Sequence, residues 1–251
     1  MSGHSKWASI KHKKAAIDAK RGASFTKLIK EITAAARQGG GNAENNIRLR
    51  AAISRAKTQN MPLSNIDNAI KKGTGELPGV VYEEITYEGY GPNGVAIFIE
   101  ALTDNKNRST AELRNIFSKK NGNMAGSGSV AWLFTKKGLI TIDNKTIVED
   151  KLMNIVLEAG AEDMKTEGDT YEVTTAPGDF ETVKKALEDK NISLQSAEIT
   201  MIPSSTIKIA NANDAKTVLD LVESLEDHDD VQHVYANFDI PENILEEIGN
   251  K

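Results

Sequence analysis

One stretch, GTGELPGV at 73–80, separates two incompatible hydrophobic periods. Before it, apolar residues recur with helical spacing. Phe25, Leu28, Ile29, Ile32 and Ala36 fall at i, i+3, i+4, i+7 and i+11, which places them on one helix face. Three glycines at 39–41 end that helix. Leu49, Ala52, Ile53 and Ala56 form the stripe of a second helix. Pro62 and Ser64 open a third, with Ile66 and Ile70 inward, Ser64 and Asp67 spaced as a capping box, Lys71 and Lys72 near its carboxyl end and Gly73 closing it. Three amphipathic helices with short connections predict an antiparallel bundle over residues 1–80. Their apolar residues are committed to the bundle's own core, so the cations are expected to face water or a ligand. Lys27, Lys30 and Arg37 lie off the first stripe. Arg48 and Arg55 share one face of the second helix, and Arg50 and Lys57 another.

Beyond the divide the pattern becomes that of strands. VYEEITYEGY and VAIFIEALT are rich in Val, Ile and Tyr and are joined by GPNG. A helix is predicted over 109–120, with Ser109 and Glu112 as its capping box and Leu113, Ile116 and Phe117 inward. NGNMAGSGS at 121–129 reads as a flexible loop and SVAWLF as a further strand. Residues 137–202 then follow the order β-α-β-β-α-β, with Gly168-Asp169 turning the central hairpin, which is the ferredoxin-like arrangement. The strand, helix and strand predicted within 207–238 are too few to fold alone and are expected to pair back onto the earlier sheet. The fold class is therefore α+β. It comprises a basic helical bundle (1–80), a discontinuous α+β domain (81–135 plus 204–240) and an inserted ferredoxin-like domain (136–203).

Charge divides along the same line. Residues 1–80 hold 15 Lys or Arg against 5 Asp or Glu, a net of +10, while residues 81–251 hold 16 against 31, a net of −15. A polyanion would be drawn to the first third and repelled by the rest. The first 22 residues gather Lys6, Lys11, Lys13, Lys14, Lys20 and Arg21 against one acid, Asp18. Trp7 and His12 are interleaved with these cations. Either the rings stack on unpaired bases while the ammonium groups take phosphates, or Trp7 anchors this segment to the bundle.

Several other chemistries find no support. There is no cysteine, so disulfides and thiolate metal sites are excluded and a reducing compartment is the natural setting. The amino terminus lacks the apolar stretch of a secretory signal, and the strongest apolar run, 95–99, is far short of a membrane span. A cytoplasmic protein without a membrane partner is expected; a mitochondrial presequence would carry Arg where this segment carries Lys. GYGPNG at 89–94 matches G-x-G-x-x-G, but a strand follows where a dinucleotide site needs a helix. It reads as a hairpin turn. No P-loop is present. GSGSV at 126–130 lacks the spacing of a nucleophile elbow. His228 and His233 lie five apart, which does not put two metal ligands on one helical turn, so a solvated turn is the better reading. Lys106 and Arg108, just ahead of the predicted helix start, form either a phosphate contact or a capping loop.

Three stretches carry a family resemblance: GHSKWASIKHKKAAIDAKRG near the start, YEGYGPNGVAIFIEALTDNKNRSTAELRNIF in the middle, and NGNMAGSGSVAWLF after it. In content and order they resemble the YebC family, from end to end of the chain. Asn121-Gly122, where that family often carries two glycines, and Met124 are mild departures. The resemblance implies a crescent-like three-domain α+β fold, association with nucleic acid or the ribosome, and no catalysis. The expectation is a non-enzymatic regulator of gene expression without cofactor or metal. It is expected to be a DNA-binding transcriptional regulator. The alternative is a ribosome-associated translational activator that binds ribosomal or transfer RNA, with loops 103–110 and 121–129 as fingers. The acidic domains would face away from nucleic acid or touch a protein partner.

Overall fold

The computed structural model describes residues 19–249. Three helices come first: α1 (Ala19–Gly39), α2 (Ile47–Thr58) and α3 (Leu63–Thr74). Leu28, Ile32 and Ala36 of α1 pack with Leu49, Ala52 and Ala56 of α2 and with Ile66 and Ala69 of α3. This is the predicted three-helix bundle, with two local differences. Pro62 occupies the N-cap position of α3 and no side chain caps the helix, so Ser64 and Asp67 form no capping box. The helix also runs past Gly73 and ends at Gly75, whose φ of 84° is the left-handed conformation that glycine adopts readily. Gly73 is buried in the crossing with α1, where an added Cβ would lie 2.5 Å from the carbonyl oxygen of Thr33. Gly73→Ala is therefore expected to cost about 1–3 kcal/mol through overpacking. A denaturation midpoint unchanged from the parent would contradict that packing role.

The next strands, β1 (Glu83–Tyr90) and β2 (Ala96–Thr103), are joined through a 3-10 turn at Pro92–Gly94 and pair antiparallel. Helix α4 spans Lys106–Lys119. Its cap is Asn105, whose side-chain oxygen accepts from the Arg108 amide at 3.1 Å. The start predicted at Ser109 is thus three residues late. Ser109 is fully buried inside the helix, and Lys106 and Arg108 lie in its first turn. After β3 (Asn123–Ala125), Ala131–Leu133 forms a 3-10 turn rather than a strand, and a single strand, β4, runs from Phe134 to Asp143.

β4 opens the second sheet. It is followed by α5 (Glu149–Glu158), β5 (Asp163–Glu167), β6 (Thr170–Thr175), α6 (Phe180–Asp189) and β7 (Ser196–Pro203). The strand order β5-β6-β4-β7, antiparallel throughout, is ferredoxin-like. Ile140, Ile142 and Val173 pack against Leu152 and Val156 of α5 and Val183 and Leu187 of α6. The chain then forms β8 (Ile207–Lys208), α7 (Ala212–Glu226), β9 (Val231–Ala236), β10 (Phe238–Asp239) and α8 (Glu242–Gly249). β9 pairs with β2 and completes a first sheet of order β3-β1-β2-β9, while β10 lies parallel to β8. Ile97 and Ile99 of this sheet are covered by Leu113 and Phe117 of α4, Val218 and Leu225 of α7, and Leu245 of α8.

The fold class is α+β, a three-helix bundle followed by two sheet-containing units. No helix among the described residues is long and apolar enough to cross a membrane.

Candidate nucleic-acid interface

The bundle meets the first sheet through charge rather than through apolar surface. Lys30 of α1 is buried, and its ammonium lies 2.5 Å from Oδ1 of Asp230 and 3.0 Å from the Asp229 carbonyl oxygen. Asp230, 2% exposed, stands just before β9. Its other oxygen, Oδ2, accepts from Arg108 Nη2 at 2.8 Å, Ser109 Oγ at 2.6 Å and Thr103 Oγ1 at 3.1 Å. Burial alone would raise the Asp230 pKa, but the bonds from Lys30, Ser109 and Arg108 outweigh it and hold the carboxyl well below the ordinary carboxylate range. Arg108 is pushed above its usual value by the same carboxylate and by Asp104. Beside this node, Lys27 donates to the Glu226 carbonyl.

A second strut runs through Arg48. Its Nε and Nη2 contact the two oxygens of Glu31 at 2.9 and 3.1 Å, and its Nη1 donates to Gln38 and to Glu84 of β1. Arg55 Nη2 lies 4.0 Å from the same Glu31. The expectation that the bundle's cations all face water or a ligand is corrected for Lys27, Lys30 and Arg48, whereas Arg55, half exposed at the edge of the Glu31 contact, still faces water. Carboxylates and carbonyls within the chain take up the first three. Arg108 is engaged in the same way and stands over the bundle contact rather than on a separate finger.

The remaining basic residues divide by position. Arg37, Arg50, Lys57, Lys71, Lys72 and Lys106 are exposed. Lys20 and Arg21 lie in the first turn of α1. Lys6, Trp7, Lys11, His12, Lys13 and Lys14 fall outside the described residues.

The Gly-rich loop is fixed rather than loose. Glu88 on β1 is buried, and its carboxylate accepts the amides of Gly128, Val130 and Ala131 at 2.7, 2.6 and 2.8 Å. Burial raises its pKa and these amide bonds more than offset that, so the group is held below its ordinary value. Reading 121–129 as flexible missed this, because an acid 40 residues upstream supplies the order. Two exposed rings flank the loop, Trp132 (72% exposed) in the 3-10 turn after it and Tyr90 (38%) at the end of β1, and both donate to the Ser129 carbonyl oxygen at 3.1 Å. Lys106 and Thr110 of α4 line one side of a groove of about 520 Å³ whose floor is β1, with Glu83, Glu84 and Glu88, and whose other side is Met124, Ala125 and Ser127.

The two histidines of EDHDDVQH do not converge. His228 accepts from the Asp230 amide on Nδ1 at 3.1 Å, so its Nε2 carries the proton in the neutral ring and points to Glu112 Oε2 at 2.9 Å. His233 lies on β9, where its ring stacks on Tyr235 with centroids 5.9 Å apart. Glu112, His228 and Asp230 lie close together, but both oxygens of Asp230 are taken up by cations and hydroxyls.

Comparison with known families places this geometry. Residues 5–76 match the model of the TACO1/YebC protein N-terminal domain, and residues 82–238 match that of the TACO1/YebC second and third domain. The chain belongs to the TACO1/YebC family.

Curated TACO1/YebC relatives are similar over their whole length. A protein of Natranaerobius thermophilus is 58% identical over 249 residues, covering 98% of this chain and 99% of the relative. One of Syntrophus aciditrophicus is 57% identical over 250 residues, covering 99% and 100%. Both are named "Probable transcriptional regulatory protein". The crystal structure of a conserved hypothetical protein from Aquifex aeolicus superposes with a TM-score of 0.81 at 48% identity, covering 94% of this chain and 98% of that one. Within this TACO1/YebC chain, sequence reasoning overlooked Asp230, Glu88 and Glu31, the acids that order the cations and the loop. Their one visible signal was position: Glu31 sits in a Lys-rich helix, and Glu88 interrupts an otherwise uncharged strand end.

Proposed function

We propose that this chain is a non-enzymatic, nucleic-acid-binding regulator of gene expression that acts on DNA in the cytoplasm. The observation that carries this reading is the segregation of charge, +10 over residues 1–80 against −15 over residues 81–251. The naming of the two relatives as probable transcriptional regulatory proteins supports it. Internal pairing changes which residues do the work. Lys27, Lys30, Arg48 and Arg108 are held by the chain's own oxygens, so phosphate contact falls to Lys6, Lys11, Lys13, Lys14, Lys20 and Arg21. Arg37, Arg50, Arg55, Lys57, Lys71 and Lys72 supply the exposed basic surface of the described bundle. The acidic sheet units would keep a polyanion on that side.

Binding through about six phosphates releases counterions, and the affinity is expected to fall about 10³-fold between 50 and 200 mM salt. Fluorescence anisotropy of a labelled duplex across that range is the test, with the triple substitution Lys11→Gln, Lys13→Gln, Lys14→Gln as the second arm. A flat salt response, or a triple variant that binds like the parent, would remove the basis for this reading. Retention on ribosomes at a salt concentration that releases the duplex would move the function to translation.

A further inference from the structure

The second surface worth following is the anchored loop. Between Leu113 and Ile142 the sequence holds Arg114, Lys119, Lys120, Lys136 and Lys137 and no Asp or Glu, although residues 81–251 as a whole carry −15. Trp132 lies within this acid-free stretch, and Tyr90, at the end of β1 two residues after the buried Glu88, joins it through the Ser129 carbonyl. Both rings are fixed at their polar edge by one acceptor, the Ser129 carbonyl, and that carbonyl belongs to the loop held by Glu88. Their faces stay in water: Trp132 is the most exposed aromatic side chain among the described residues. The chain leaving the lysine end of α4 runs beside Tyr90, with Asn123 of β3 paired to it. Gly122, two residues past Lys120, sits so close to the Tyr90 carbonyl that a Cβ would lie 3.0 Å from it. Arg114, Lys119 and Lys136 are exposed, whereas Lys137 is paired with Glu162 at 2.7 Å.

We infer that Trp132 and Tyr90 form a stacking platform for the unpaired bases of a single-stranded nucleic acid, with the phosphates led past Lys119 and Lys120. Rings with free faces take any base, and neighbouring ammonium groups take the backbone. Preorganisation is what distinguishes this pair from incidental surface aromatics. The hydrogen bonds from Trp132 Nε1 and Tyr90 Oη fix the rings before a ligand arrives, so little rotamer freedom is left to lose on binding. The exposed Arg114, Lys119 and Lys136, with no Asp or Glu between residues 113 and 142, favour a polyanion over a basic peptide as the occupant. This surface uses none of the residues assigned to the duplex, and it needs no duplex.

The chain has two tryptophans, so Trp7→Phe leaves Trp132 as the single reporter. Twelve-nucleotide DNA and RNA strands of mixed sequence would be titrated into that variant, with a duplex of the same sequence as the comparison. The expected result is quenching of Trp132 emission by a single strand. Trp132→Ala, at a site exposed enough to leave the fold intact, is expected to lower single-strand affinity about tenfold and leave duplex affinity unchanged. Quenching by DNA alone, RNA alone or both identifies the source of the strand and supports the platform in each case. Saturable single-strand binding with Trp132 emission unchanged would overturn the platform and leave the duplex reading standing. No single-strand binding at all would also overturn it. Quenching by single strands together with no duplex binding would keep the platform and sink the duplex reading.

Discussion

Replacing Asp230 with alanine is expected to destabilise the chain by about 3–5 kcal/mol, the usual cost of removing one partner from a buried ion pair. The substitution leaves the buried Lys30 ammonium without its counter-charge and strips Ser109 and Thr103 of an acceptor. The loss falls on the contact between the bundle and the first sheet. Limited proteolysis in the 73–80 connection is therefore expected to speed up before the sheet units open. Asp230→Asn separates charge from shape. The folded-state pKa of Asp230 lies below its unfolded value of about 3.9, so its contribution is complete above about pH 4 and is lost as the pH falls further. The stability gap between parent and Asp230→Asn, measured by urea denaturation, should be wide at pH 7 and narrow toward pH 2. A gap that does not change with pH would show that the carboxylate charge is not what holds the node.

Glu88→Gln is the second large effect, at about 3 kcal/mol. The native carboxylate accepts three amides through two oxygens. A carboxamide keeps one oxygen and turns an NH₂ donor toward the remaining amide hydrogens, so at least one buried donor loses its partner. Because Ser129 sits within this loop, the anchoring of Trp132 and Tyr90 should loosen with it. The expected readout is a lower melting temperature together with a lower fluorescence anisotropy of Trp132 in the Trp7→Phe background. A variant with the parent's melting temperature and anisotropy would mean that the loop holds itself.

What was legible in the sequence is what short-range pattern determines. The stripes through Phe25–Ala36 and Leu49–Ala56 lie on helices whose interior residues are the ones expected, and the β-α-β-β-α-β order of the second sheet follows from alternating periods bounded by turn residues. Element starts were less legible where two residues competed for the same role. Asn105 and Ser109 are both good caps, and Ser109 is drawn into the helix because Asp230 needs its hydroxyl. The helix α8 went unread although Ile244, Leu245 and Ile248 carry a helical spacing behind Pro241. The fate of the cations was not legible at all. Lys30 and Asp230 are 200 residues apart, and nothing local to either one marks the pair.

β4 lies in two places at once. Its first residue, Phe134, stacks on Phe98 of the first sheet with ring centroids 6.0 Å apart, while residues from Gly138 onward pair with β6 in the second. One continuous beam therefore spans both sheet units and fixes the gauge between them, so a ligand that bridges the two meets a constant separation. The helical module has no such shared strand and is fastened to the first sheet by the Lys30 and Arg48 ion pairs and a short tether, of which the buried Lys30–Asp230 pair is little screened by salt.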